Sequence, residues 1–467
     1  MEGSKPMIDH NLKDICCKLK PLIGRKADAL WLAYTSSENL KARQEAEALI
    51  YMFAARHLTR DVNDNTILLP KITEEKASGE FKLGTVQYAN RPLFQLGLNR
   101  DNFIRHIGIL AMTGSGKTNV AQHLLLGLLE KDIPFLVIDW KRSYRQIKTI
   151  DNPKAKNIKV LSVGRDSETL FNWNPLRPPP GVHTRTWISI IAEVLEKTHI
   201  SGPGVADVFI DLFDELFERY GFYGKNHEEK YPNFHDAKEM LDKSQFRGRR
   251  MLWRDSCMRI LKTFTFGPAS RSFNTRNPLK LETLLNQPVI LELDFELPKP
   301  LRTFLSEIFL RFIHLHRLRQ GESHELRHVT FLEEVHNLFP RSYTENQATN
   351  SLESLFREIR GFGEGLVYIT QHPSLTPVYL TGNSNTLIIL GLQSEQDIQA
   401  ARKALFLQPG EEIFLDRLKI GEGIVKIKGR VSPCHVKFPL VPVNEKSALI
   451  SEIFKSIKLP DLFKNGS

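Results

Sequence analysis

One stretch of the chain restricts its fold more than any other: IRHIGILAMTGSGKTNVAQHLLLGLLEKDIPFLVIDW, which begins at Ile104. An apolar run at Ile107–Ala111 leads into a glycine loop. A helical pattern follows over Thr118–Glu130, then a second apolar run at Phe135–Ile138. Strand, loop, helix and strand in this order make a βαβ unit, which requires a parallel sheet with helices on its faces. The loop itself, Ala111-Met-Thr-Gly-Ser-Gly-Lys-Thr118, has the chemistry of a phosphate cradle. Backbone N–H groups can turn inward around an anion only where glycines supply positive φ. A lysine then serves the terminal phosphates, a hydroxyl serves Mg²⁺, and the N-terminus of the following helix adds its own N–H groups. Gly114, Gly116, Lys117 and Thr118 meet these needs, while Ala111 stands where a first glycine is usual.

Further buried-strand runs, VILEL (289–293), VTFL (329–332), GLVYIT (365–370) and TLIILGL (386–392), extend the α/β core. Around it the chain divides into an N-terminal helical segment (1–62), a small β-subdomain (63–100) and the first part of the core with the phosphate loop (101–180). A helical insertion (181–280), the second part of the core (281–408) and C-terminal β pieces with a tail helix near 447–457 (409–467) complete the division. In the insertion, Phe209, Leu212, Phe213, Leu216, Phe217 and Tyr220 fall on one helical face. The 467 residues contain no apolar run of the ~18 residues that a membrane span needs. The cytoplasm is therefore the expected location. Cys16, Cys17, Cys257 and Cys434 have neither disulfide-framework nor zinc spacing and read as thiols.

A phosphate loop needs an acidic partner at the end of a neighbouring strand. VTFLEEVHNLFP supplies one: Glu333 is placed to hold the metal's water shell, and Glu334 to orient the attacking water. VILELDFEL, with Asp294, has no tandem acids at its strand end and reads as a core strand. Asp139 and Lys141, at the end of the second strand, fit a place near the nucleotide or at a ring contact as well as they fit a purely structural role. We assign Thr113, Gly114, Ser115, Gly116, Lys117 and Thr118 to nucleotide binding, with ATP and Mg²⁺ as cofactors and Thr118 and Glu333 at the metal.

These blocks, with FREIRGFGEGLVYITQHPS, NTLIILGLQSEQDIQAA and LKIGEGIVKIKGRVSPCHVKFP in order after them, resemble the HerA branch of the HerA–FtsK ATPases over about residues 66–442. The resemblance implies a RecA-like P-loop NTPase core and a homo-oligomeric, hexameric ring. It also implies ATP-driven translocation of double-stranded DNA, with a separate nuclease or effector as partner in DNA processing or antiviral defence. By the same resemblance Gln371 matches the sensor of the terminal phosphate. Arg360 matches an arginine inserted by a neighbouring subunit, with Arg357 as the fallback, and Arg105 a further arginine near the nucleotide at a subunit boundary. Ala111, Glu333 in place of Asp, and a short N-terminal β-region depart from the family pattern.

Lys and Arg exceed Asp and Glu by ten, which leans toward a polyanionic partner. Between Arg247 and Arg276 eight basic residues face one acid, Asp255, with Trp253, Phe264 and Phe266 interleaved; helical spacing favours these aromatics as core. Lys141, Arg142 and Arg145 form a second basic cluster. Histidines 314, 316, 324, 328 and 336 have no zinc spacing and read as core or surface residues. Two other functions fit the same motifs: a nucleotide-gated scaffold that regulates an effector, and a soluble conjugation or secretion ATPase.

Overall fold

The computed structural model describes residues 10–37, 39–58, 67–69, 72–164, 169–224, 230–267, 269–275, 278–339 and 348–443. The tail helix expected near 447–457 lies outside the described residues. Eleven strands form one sheet: β1 Phe81–Tyr88, β2 Arg91–Leu98, β3 Ile107–Leu110, β4 Phe135–Asp139, β5 Lys159–Val163, β6 Val289–Leu293, β7 Ser323–Leu332, β8 Phe362–Thr370, β9 Thr386–Leu390, β10 Glu422–Ile427 and β11 Val431–Lys437. Their order across the sheet is β2-β1-β11-β10-β9-β3-β8-β7-β4-β6-β5. The seven strands from β9 to β5 are parallel, and the other four add on as antiparallel neighbours.

The parallel strands are apolar because both of their faces are covered; every residue of β3, β4, β6 and β9 is buried. The helix Lys117–Glu130 packs Val120, Ala121, Leu124, Leu125 and Leu128 on one face of the sheet. The other face carries the helix Lys299–Gln320 and the insertion helices Thr184–Thr198, Val205–Arg219, Phe234–Lys243 and Arg250–Thr265, in one continuous core. Phe264 meets Phe304 at 5.0 Å, and Trp187 meets Phe312 at 6.0 Å, so the insertion is fastened to the sheet by aromatic pairs. The residues expected on one face of Val205–Arg219 are buried there, and Tyr220 packs beside them.

At the N-terminus, His10–Ile23, Arg25–Ser36 and Leu40–His57 form a three-helix unit with small cores of its own around Leu12, Tyr34 and Ile50, and around Leu19 and Ala54. Leu49, on the third of these helices, is 44% exposed. The β-subdomain expected before the phosphate loop consists of β1 and β2. The expected C-terminal β pieces are β10 and β11. The two sets are neighbours, since Thr85 pairs with Lys437 and Val86 with Val436.

Near the start of β8 the fully buried Glu364 accepts hydrogen bonds from Thr330 Oγ1 at 2.7 Å, His328 Nδ1 at 2.7 Å and Arg317 Nε at 3.0 Å. Burial works against the charged carboxyl, but His328 and Arg317 outweigh it and hold the group down at about 2. Because the folded value lies below the unfolded one, this stabilisation is fully present above about pH 4.5 and is lost as pH falls toward 2. Glu364→Ala leaves Arg317 buried without its carboxylate. It is expected to cost about 3–5 kcal/mol in urea unfolding at pH 7, and the gap from wild type should close as the titration is carried down from pH 4.5.

Candidate functional site

The phosphate loop leaves β3 between the ends of β8 and β9. Ala111 N–H donates to Thr370 O at 3.2 Å, and Met112 N–H to Gly391 O at 3.1 Å. Gly114 and Gly116 have φ of 82° and 105°, a region open to glycine and strained for other residues. Ala111 is fully buried and its φ is not positive, which is why alanine fits where a glycine is usual. Ser115 is buried and donates from Oγ to Met112 O at 2.7 Å, so it braces the loop without lining the cavity. Lys117 Nζ donates to the carbonyls of Ala111 at 2.9 Å and Met112 at 2.6 Å. Burial, and Lys141 nearby, bring the Lys117 ammonium down to about 8.

The loop opens on a cavity of about 290 Å³ lined by Thr113, Gly114, Gly116, Lys117 and Thr118, by Lys141 and Ser143 after β4, by Glu333 and Glu334 after β7, and by Gln371 after β8. Glu333 accepts from Trp140 N–H at 3.2 Å. Its burial and the charge of Asp139 push its carboxyl up. Glu334 adopts φ 51°, uncommon for a side-chain-bearing residue. Its Oε1 takes Lys141 Nζ at 2.5 Å and a hydrogen bond from Gln371 Nε2. Burial raises the Glu334 carboxyl, but Lys141, His336 and Gln371 overcome that and leave it below its ordinary value. Gln371 Oε1 in turn accepts from Thr113 Oγ1, so one amide joins the phosphate loop to the acidic turn.

Asp139 is fully buried and accepts from Lys141 N–H at 2.9 Å and Tyr144 N–H at 3.1 Å; it shapes the turn that presents Lys141. The two residues left open by the sequence pattern thus divide, with Asp139 structural and Lys141 in the cavity. Thr118 and Glu333 supply hard oxygen donors to the same cavity, the chemistry a Mg²⁺ ion takes.

Arg105 and Arg360 are not part of this cavity. Arg105 precedes β3, is exposed and pairs with Asp101 at 3.1 Å. Arg360 is exposed just before β8, while Gln371 lies just after it, so the length of that strand, roughly 30 Å at 3.3 Å per residue, separates Arg360 from the cavity. Neither arginine lines the cavity of its own chain, and both stand at the edge where a subunit boundary was expected for Arg105. Arg357 lies 3.8 Å from Glu353. A residue that sequence reasoning missed holds this edge: the buried His106 accepts from Leu366 N–H at Nδ1 (3.3 Å) and donates from Nε2 to Phe356 O (2.7 Å). No local pattern marks it, since both partners lie more than 200 residues away.

The basic clusters also resolve. Arg145 makes a two-pronged pair with the buried Glu292, and Arg142 lies 3.5 Å from the same carboxylate, so the two arginines of this cluster are spent inside the fold while Lys141 faces the cavity. In the 247–276 stretch Phe264 is buried and Trp253 packs against the core, as helical spacing predicts, whereas Phe266 is 83% exposed. A cavity of about 820 Å³ lies there between Phe234–Lys243 and Arg250–Thr265, with Arg254, Arg259 and Lys262 facing Glu239, Asp242 and Asp255.

Sheet, loop and acidic turn define a RecA-like P-loop NTPase. The resemblance to HerA-type ATPases is borne out: residues 81–232 match the family described as helicase HerA, central domain. The chain is 23% identical over 373 residues to the DNA double-strand break repair helicase HerA of Pyrococcus furiosus, with 73% of this chain and 66% of that protein covered, just under two thirds of its length. Among solved structures, VirB4 of Thermoanaerobacter pseudethanolicus superposes with a TM-score of 0.61 at 17% identity, covering 78% of this chain and 98% of that one. The plasmid coupling protein TrwB in complex with ADP and Mg²⁺ gives 0.56 at 14% identity, covering 81% and 94%. Among the described residues no helix is long and apolar enough to cross a membrane.

Two substitutions separate the loop's needs. Gly116→Ala forces a side chain into φ 105° and is expected to weaken binding of a fluorescent nucleotide at least about tenfold. Ala111→Gly adds freedom that the position does not use, and should leave that affinity within about twofold.

Proposed function

We propose that the protein is an ATP-hydrolysing, ring-forming translocase of double-stranded DNA that works with a separate nuclease or effector in DNA processing or antiviral defence. The observation that carries this reading is the division of the predicted residues between two edges. Lys117, Thr118, Glu333, Glu334 and Gln371 share one cavity, and Arg105 and Arg360 lie beyond the far end of the same strands. A site so divided is completed only by a neighbouring subunit.

In that assembly the N–H groups of the loop and Lys117 hold the β- and γ-phosphates, and Thr118 and Glu333 would hold Mg²⁺, which would supply charge neutralisation at the phosphates. Glu334 orients the attacking water and accepts its proton. Gln371 links the phosphate loop to Glu334, so a change at the terminal phosphate reaches the acid through one side chain. Arg360 of one subunit faces the negative charge that develops in the next subunit's transition state, and hydrolysis then depends on assembly. The positive net charge suits a partner read through its phosphates. The names of the relatives, a DNA repair helicase and a plasmid coupling protein, support the same substrate class.

A nucleotide-gated scaffold has one observation in its favour, the neutralisation of Glu334 by Lys141. Steady-state ATPase measurements with and without linear double-stranded DNA decide between the two. For a translocase, DNA raises the rate several-fold, and Lys117→Ala, Glu334→Gln and Arg360→Ala each lower it by about 10²-fold or more. Mixing the Glu334→Gln and Arg360→Ala proteins should restore part of the activity, because some interfaces then hold both wild-type residues. A wild-type rate no greater than that of Glu334→Gln would sink the translocase.

A further inference from the structure

We propose that Lys141 is a γ-phosphate ligand that occupies Glu334 until a nucleoside triphosphate draws the lysine away. The inference rests on the ATPase reading above and adds to it the residue by which the site distinguishes tri- from diphosphate.

Three features of the fold point to it. First, Lys141 lines the same cavity as Lys117 and Thr118, and its Nζ lies 2.5 Å from Glu334 Oε1. A water positioned by Glu334 for attack must lie about 3–3.5 Å from the phosphorus, so an ammonium on that carboxylate is already within one side-chain swing of the terminal phosphate. Second, the main chain that carries the lysine is immobilised on every side. Asp139 accepts from the N–H of Lys141 and from that of Tyr144, Trp140 N–H is held by Glu333, Trp140 Nε1 donates to Ser306 Oγ at 3.0 Å, and Arg145 is clamped on Glu292. Only the four-carbon stem of Lys141, with a half-exposed side chain, is left to move. Third, its basic neighbours Arg142 and Arg145 are directed to Glu292, so this turn sends a single cation into the cavity.

The charges give the switch its direction. A terminal phosphate carries more negative charge than one carboxylate and three acceptor oxygens, so it outcompetes Glu334 for the ammonium. Glu334 then keeps the Gln371 hydrogen bond and gains an acceptor site free for water. A diphosphate reaches Lys117 and the loop but lacks the group that recruits Lys141. The site thus returns to the Lys141–Glu334 pair once the phosphate has left.

The test is titration of the full-length protein, with Mg²⁺, against fluorescent ADP and a fluorescent non-hydrolysable ATP analogue. Lys141→Ala is expected to weaken the triphosphate analogue about tenfold or more, the scale of one lost charge-assisted hydrogen bond, and to leave ADP within about twofold. Lys141→Arg should recover part of the preference. Equal weakening for both nucleotides would mean that Lys141 only braces its turn, and no change for either that the pair with Glu334 is a surface contact; both overturn the inference. If wild type binds neither nucleotide, the ATPase reading itself falls and this inference with it. Lys117→Ala, expected to weaken both nucleotides, marks the difference between losing the whole site and losing its triphosphate selectivity.

Discussion

Strand polarity governs everything that this molecule can do with its sheet. In a parallel array all carboxyl ends emerge at one edge, and the register here keeps them level. Leu110 of β3 pairs with Thr370 of β8, Leu332 of β7 with Tyr368 of β8, and Ile138 of β4 with Leu332 of β7. Four adjacent strands at about 4.8 Å spacing therefore deliver the phosphate loop, Gln371, the two glutamates and Lys141 within roughly 15 Å of one another. No long-range side-chain reach is required. The same polarity sends the residues that precede the strands, Arg105 and Arg360 among them, to the opposite edge.

Gathering these residues concentrates charge at the rim of an apolar core. Asp139 ends a wholly buried strand, Glu333 and Glu334 follow one buried from His328 to Leu332, and two lysines face them. Each carboxylate is handled differently. Asp139 is satisfied by the N–H groups of the turn after it, and Glu333 takes the N–H of Trp140 and is pushed toward its protonated form by burial beside Asp139. Glu334 sits in a left-handed turn, and its charge is kept by Lys141 and Gln371. One acid is thereby structural, one suited to a cation, and one free to exchange partners.

What the sequence made legible follows from how far each feature reaches along the chain. The phosphate loop, the tandem glutamates and Gln371 each sit at the end of an apolar run, so strand pattern alone puts them at one edge, and their convergence was expected. Lys141 was undecidable, because its direction depends on a turn closed by Asp139 and braced by Trp140 and Glu292, residues spread over 150 positions. Arg142 and Arg145 looked like free positive charge for the same reason, since Glu292 is 147 residues from Arg145. Two short β segments at opposite ends of the core read as separate pieces, though β1 and β11 are hydrogen-bonded neighbours. Periodicity reports which face of an element is apolar and says nothing about which distant strand it meets.

In a ring assembled as proposed, β8 takes on a double duty that no single residue shows. Its carboxyl end hands on to Gln371, which touches Thr113 and Glu334 of its own cavity. Its amino end begins beside Arg360, the group offered to the next subunit. Between them runs a strand buried from Gly363 to Thr370, tied by Leu366 N–H to His106 and by Glu364 to Arg317 and His328. Such a strand is stiff, because its side chains are packed on both faces, it is paired on both edges, and its buried carboxylate is hydrogen-bonded. The nine residues of that strand set Gln371 and Arg360 about 30 Å apart on one continuous element. Successive sites in the ring would be coupled through the sheet itself, without a hinge between domains.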